Sequence, residues 1–210
     1  MPCAALELDM EKKINQKSVF WDYFEALLIA VILALILRAF IVQAYKIPSG
    51  SMLNTLQIGD YLLVTRFSYN VKVPFTNKVL LETGDPQIGD IIVFRYPKDM
   101  SQDYIKRVVG VPGDVIEMRD KQLYRNGEKV VEPYIRNTSS RIVPGIDTMS
   151  PRVIPEGHYF VMGDNRDESS DSRDWGLVPR ENIQGRAWII YWSAGGLTDI
   201  RWNRIGTWLR

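Results

Sequence analysis

A serine hydroxyl is a weak nucleophile until a neighbouring base takes its proton. This sequence offers few of the usual bases, since His158 is the only histidine and Cys3 the only cysteine in 210 residues. Three short segments nevertheless carry residue types able to do chemistry together. They are Pro48-Ser49-Gly50-Ser51-Met52-Leu53-Asn54, Tyr104-Ile105-Lys106-Arg107, and Gly163-Asp164-Asn165-Arg166-Asp167-Glu168-Ser169. In the first, Gly50 lets the backbone bend so that adjacent amides can face a substrate carbonyl, and the Ser49 hydroxyl can serve the same oxyanion. Taken alone, the segment is also an ordinary glycine turn.

Lys106 is the candidate base. Its ordinary pKa of about 10.4 keeps an amine charged at neutral pH, and bringing it to about 7 takes roughly 4–5 kcal/mol of differential interaction. Burial among Tyr104, Ile105 and Val108 acts in that direction. Strand alternation puts Lys106 on the face of Tyr104 and Val108, opposite Ile105 and Arg107. The plain alternative is a lysine on the solvated face of a strand. The third segment, extended through Arg173, reads as a solvated loop, as a calcium loop, or as a strut. In the strut, Asp171 pairs with Arg173 and Ser169 meets the lysine amine. EF-hand spacing is absent. His158, at the start of an apolar run, reads as structural.

These residues need elements to hold them. Tyr61–Val64, Asp90–Phe94, Ile105–Val109, His158–Met162 and Ala187–Trp192 are β-branched or aromatic runs bounded by Gly-Asp and Pro-Gly turns. Asn126-Gly127, inside Leu123–Val130, marks a tight hairpin. No segment after residue 58 keeps a helical period, so the fold class is mainly β. Residues 67–88 and 132–155 read as surface loops, with an insertion or flap around 115–155.

The amino-terminal part differs. Residues 19–42 are read as a transmembrane anchor, with an aromatic start and Arg38 snorkelling at the far end. A cleaved signal peptide and a buried soluble helix are the alternatives. Acidic residues at Glu7, Asp9, Glu11, Asp22 and Glu25 speak against a leader. Lys12, Lys13 and Lys17 before the segment leave residues 1–18 in the cytoplasm and residues 43–210 across the membrane. A formal charge of +1 and the lack of basic runs give no reason to expect nucleic acid. One histidine and one cysteine exclude a multi-imidazole or cysteine-rich metal site, and the chemistry calls for no metal or cofactor.

Together, Ile47-Pro48-Ser49-Gly50-Ser51-Met52, Gly89–Phe94, Tyr104–Gly110 with Pro112-Gly113-Asp114, and Gly163 through Gly176 resemble the four boxes of the bacterial type I signal peptidases. These are membrane-anchored serine proteases with a Ser/Lys dyad. The resemblance runs over roughly residues 20–206. It implies a curled β-sheet catalytic domain behind one amino-terminal transmembrane helix in the bacterial inner membrane. It implies Ser51 as nucleophile and Lys106 as general base, with Ser49 and the Ser51 amide as the oxyanion hole. Ser169 would orient Lys106, and Asp171 and Arg173 would support that geometry. Ile47, Met52, Leu56, Tyr104 and Ile105 would line pockets for small residues. The substrates implied are secreted preproteins cut after a small P1 residue, with membrane lipid and the Sec translocon as partners. Asn54 departs from the pattern, which usually has proline there.

Two neighbouring classes lack their marks. A self-cleaving repressor needs a DNA-binding head, for which residues 1–18 are too short. A penicillin-binding acylase needs Ser-x-x-Lys with Lys-Thr-Gly, and neither occurs. A non-catalytic membrane-tethered β-domain stays as the alternative of a different class.

Overall fold

The computed structural model describes residues 19–33, 42–65, 67–72, 79–196 and 198–209. The chain divides at Ile41/Val42 into two compact units. In the first, residues 19–33 form a helix, α1, whose apolar side chains are exposed, among them Trp21, Phe24, Leu27 and Leu33. No helix among the described residues is long and apolar enough to cross a membrane. Residues 1–18, and the part of the expected span from 34 to 41, lie outside the described residues. Val42, assigned above to the span, is instead the first residue of a strand.

The second unit is built on antiparallel pairs, as alternating β-branched and aromatic runs favour. Thirteen strands are described: β1 (Val42–Lys46), β2 (Asp60–Thr65), β3 (Asn70–Lys72), β4 (Val79–Glu82), β5 (Ile91–Tyr96), β6 (Asp99–Gly110), β7 (Val115–Arg119), β8 (Gln122–Arg125), β9 (Glu128–Lys129), β10 (Met149–Val153), β11 (His158–Met162), β12 (Val178–Pro179) and β13 (Ile183–Ser193). Seven of them form the main sheet in the order β1-β2-β13-β5-β6-β11-β12. β10-β7-β8-β9 make a second sheet, and β3 and β4 a separate hairpin. The only helix in this unit among the described residues, apart from short 3₁₀ turns, is one turn, α2 (Ser172–Trp175).

Two expected loops therefore contain strands. The segment 67–88 holds the β3–β4 hairpin, and 132–155 holds β10, which pairs with β7. Pro151 hides β10 from a propensity reading, because proline cannot donate to a ladder; the register shifts between Met149 and Arg152, around that residue. The Asn126-Gly127 hairpin forms with φ of +56° and +84°, the left-handed pair a tight turn needs. Asp120-Lys121, between β7 and β8, does the same at +48° and +69° without glycine.

Three buried clusters fill the unit. One gathers Ile47, Met52, Leu56, Leu62, Val64, Ile91 and Val93. A second gathers Ile92, Phe94, Val108, Tyr159 and Trp175, and a third, beneath the small sheet, Ile116, Met118, Leu123 and Phe160. The first matters most for the site. Met52 and Leu56 are wholly buried, so they plug the loop between β1 and β2 into the core. That loop is closed at its neck by Ile47 N–H donating to Asp60 O (2.8 Å) and Gly59 N–H to Ile47 O (3.0 Å).

Asp60 holds the neck from below. It is fully buried and accepts from Ser193 Oγ at 2.6 Å, Gln57 N–H at 2.8 Å and the Arg204 guanidinium at 2.6 Å. Burial pushes the carboxyl up, but these donors more than reverse it and leave it below the usual range. Removing one partner of a buried pair is strongly destabilising. Asp60→Asn is therefore expected to lose about 2–4 kcal/mol in urea denaturation. An unchanged midpoint would show that the carboxylate does not hold the neck.

Candidate active site

Lys106 and Ser51 reach each other from separate elements. Lys106 sits in β6 opposite Ile92 of β5, and Ser51 in the turn beyond β1. The amine nitrogen lies 2.6 Å from Ser51 Oγ. Both residues are nearly inaccessible, Lys106 at 4% exposure and Ser51 at 9%. Ile105 packs on the first cluster while Tyr104 and Val108 join the second, the alternation expected of this strand. The Tyr104 ring centroid is 5.8 Å from the amine, and the ring stacks flat on Tyr96.

Burial pushes the Lys106 amine down to about 8. Asp171 and Asp164 pull it back up and Arg173 pushes it further down, but desolvation is the largest influence. Two carboxylates near a lysine would ordinarily keep it charged. Here each is already bound to an arginine. Arg107 grips Asp164 through Nε (2.9 Å) and Nη2 (2.8 Å), and also donates to Gly89 O at 2.8 Å. Arg173 grips Asp171 through Nε and Nη2, both at 2.9 Å. Burial pushes the Asp171 carboxyl up; Arg173 and the Gly163 N–H overcome it and hold it below the usual range. With Asp171 and Asp164 each paired to an arginine, desolvation decides the state of the amine.

The nucleophile loop is stitched to the 163–168 segment. Asn165 N–H donates to Ser51 O and its Nδ2 to Gly50 O, both at 3.0 Å. Thr55 Oγ1 donates to Asp164, and Arg204 Nη2 to Thr55 O at 2.9 Å. Gly163 has to be glycine, because a Cβ there would lie 2.3 Å from Ser169 Oγ and 2.5 Å from Ser51 O. Asp171 also accepts from Gly163 N–H and caps α2 through Arg173 N–H. The same carboxylate thus ties the arginine, the glycine and the short helix together.

The other expected site residues fall as follows. Ser49 is exposed beside Ser51. Ser169 touches the Gly163 position, and its hydroxyl helps hold the Asp171 carboxyl down, yet makes no hydrogen bond of good geometry to a described residue. A Ser169 contact to the lysine amine is not among the hydrogen bonds that form. Ile47, Met52 and Leu56 are core, and Tyr104 and Ile105 are the partly exposed members of the set. Asn54 adopts φ of +79°. Proline, fixed near −65°, cannot take that conformation, whereas asparagine tolerates it. Residues 51–55 form turns rather than a helix. Thr55 and Asn165 are the members that the pattern of residue types did not single out. Thr55 meets Asp164, and Asn165 meets Gly50 and Ser51, across more than a hundred residues of sequence, so only the fold brings them together.

His158 Nδ1 faces Glu156 O at 3.0 Å at the start of β11, where the strand pairs with β12 through His158 and Pro179. Among the described residues no group of His, Cys, Asp and Glu side chains could hold a metal ion.

The sequence model of the family described as signal peptidase, peptidase S26, matches residues 20–192. Signal peptidase I of Pseudomonas fluorescens is 41% identical, over 87% of this chain and 76% of the relative. The Pseudomonas aeruginosa enzyme is 38% identical over the same shares. Signal peptidase I of Aquifex aeolicus is 35% identical over 80% of this chain and 82% of its own. A solved signal peptidase I from Enterococcus faecalis is 33% identical, with a TM-score of 0.41, covering 50% of this chain and 98% of that one.

A depressed lysine pKa has a consequence for stability. Below pH 8 the folded chain carries a poorly solvated ammonium that the unfolded chain keeps in water, a penalty of about 3 kcal/mol for a shift of this size. The penalty shrinks between pH 8 and about 10.4 and vanishes above. Lys106→Met, similar in length and uncharged, is therefore expected to raise stability by up to about 3 kcal/mol at pH 7 and by much less at pH 10. Denaturation at the two pH values measures it; a variant less stable at pH 7 would mean that Lys106 is held as a paired cation.

Proposed function

The chain belongs to the signal peptidase family, peptidase S26, and from that premise we propose that Ser51 and Lys106 form the catalytic dyad with which it cleaves signal peptides from exported preproteins. The observation that carries this reading is the 2.6 Å approach of a dry amine to a serine hydroxyl. With a pKa of about 8, roughly a tenth of Lys106 is neutral at pH 7 and about half at pH 8.

In the neutral form Lys106 accepts the Ser51 proton as Oγ attacks the substrate carbonyl. The developing oxyanion lies toward the Ser51 N–H and the Ser49 hydroxyl. Lys106 then gives its proton to the leaving amine, and the acyl group remains on Ser51 as an ester. A water, losing its proton to Lys106, attacks that ester; the collapsing intermediate returns the proton to Ser51 Oγ and frees the carboxylate end. These steps call for no metal.

The substrate enters as an extended strand. β11 pairs only with Arg107–Gly110 of β6, leaving the edge of β6 ahead of Arg107 without a strand among the described residues. Backbone pairing there tolerates varied leader sequences. Tyr104 and Ile105, partly exposed on that stretch, would wall the P1 and P3 pockets, with the buried Ile47, Met52 and Leu56 backing them.

The exposed apolar side chains of α1 support a membrane anchor that ends before Val42, with the amino terminus cytoplasmic and residues 42–210 outside. Trp202 at 70% exposure and Trp208 at 62% suit contact with the lipid interface.

Cleavage of a purified preprotein in detergent tests the reading. Ser51→Ala and Lys106→Ala are each expected to lose at least about 10³-fold in kcat. For the wild type, kcat/KM should rise with pH through about 8, because the neutral amine is the working form. Full activity in Ser51→Ala would remove the dyad. A wild type inert on several preproteins would favour the non-catalytic tethered domain.

A further inference from the structure

We propose that Asn165 is the positioning residue of the oxyanion hole, acting by fixing the direction of the Ser51 N–H. This rests on Ser51 as nucleophile. The proposal starts from a property of the peptide unit. In a planar trans peptide the carbonyl and the following N–H point in opposite directions. Gly50 C=O and Ser51 N–H belong to the same peptide, so whatever holds the carbonyl also aims the amide. Asn165 Nδ2 donates to that carbonyl at 3.0 Å, and Leu53 N–H donates to it at 3.1 Å. The next peptide is held by the same residue, through Asn165 N–H to Ser51 O at 3.0 Å. Both peptide planes flanking the nucleophile are thus pinned by one side chain and its own backbone.

The asparagine orientation is fixed by its neighbours. Nδ2 faces two acceptors, Gly50 O and Glu168 Oε2, each at 3.0 Å, and only the amide nitrogen can donate to both. The consequence is that Oδ1 is buried with no hydrogen-bond partner among the described residues. Asn165 is itself fully buried. An unpartnered buried acceptor is costly and calls for an explanation. Here the cost is offset by what the other end of the amide does. Donation to the Gly50 carbonyl also polarises the peptide and makes Ser51 N–H a stronger donor to an oxyanion.

A residue that only props up the loop would disturb folding or substrate binding. One that aims an oxyanion donor affects tetrahedral species selectively. The probe is a peptide aldehyde ending in alanine, whose adduct with Ser51 carries the oxyanion, beside the matching product peptide. For Asn165→Ala, kcat on a preprotein should fall about 10–100-fold with KM within about twofold. Aldehyde affinity should fall by the same factor as kcat/KM, product-peptide affinity should hold, and the pH at half-maximal kcat/KM should not move. Asn165→Leu is close in size, adds no charge and keeps the backbone bond to Ser51 O, but loses the donor to Gly50 O. It carries the test if the alanine variant fails to fold, with the same pattern expected.

Unchanged aldehyde affinity with reduced kcat, a loss confined to KM, or a shifted pH midpoint would each overturn the proposal. Aldehyde binding equally tight in Ser51→Ala would instead remove the nucleophile on which it rests. These failures are distinguishable.

Discussion

An amine can take a proton from a hydroxyl beside it only after giving up its own, and in water a lysine does so about three units above neutrality. Everything around Lys106 bears on that constraint. The side chain is 4% exposed on a strand whose two faces feed two separate apolar clusters, so the ammonium loses its hydration. Desolvation alone would be undone by Asp164 and Asp171, which favour the charged form. Arg107 and Arg173 occupy those carboxylates with paired donors. The ion pairs are costly to bury and weak as sources of stability. Their value here is that they let carboxylates frame the site without protonating its base.

The second requirement is geometric. Ser51 must hold its position 2.6 Å from the amine while presenting its backbone to a substrate. The loop that carries it is short of regular structure, and is fixed by plugs and stitches instead. Met52 and Leu56 anchor it in the first cluster, Asp60 and Arg204 hold its neck, and Asn165 and Asp164 fasten its tip. These contacts come from three distant stretches of chain. A loop held this way supplies the preorganisation that acyl transfer needs, without a helix to build it on.

The sequence made the strands of the main sheet legible where apolar alternation was strong, at β2, β5, β6, β11 and β13, and the Asn126-Gly127 turn where chemistry demanded positive φ. It did not reveal β1, because Val42 continues the apolar run of the span and Gln43-Ala44-Tyr45-Lys46 carries no β-branched run to mark a strand. Nor did it reveal β10, masked by Pro151, or the β3–β4 hairpin. Ser51 and Lys106 stood out through residue type and the scarcity of histidine. Asn165 and Thr55 did not, because an asparagine or threonine in a polar loop has many fates, and only tertiary contact decides among them. Asn54 shows the reverse case. It departs from the proline of the resemblance, and a φ of +79° is one that asparagine tolerates and proline cannot take.

The ionisation state of one amine decides between this account and an ordinary buried ion pair. Lysine labelled with ¹³C at Cε, assigned through Lys106→Arg, reports that state directly by NMR titration in detergent. The account predicts a Lys106 resonance titrating with a midpoint near pH 8, well below the other lysines. A midpoint at or above about 10.4, the value of a lysine in water, would contradict it.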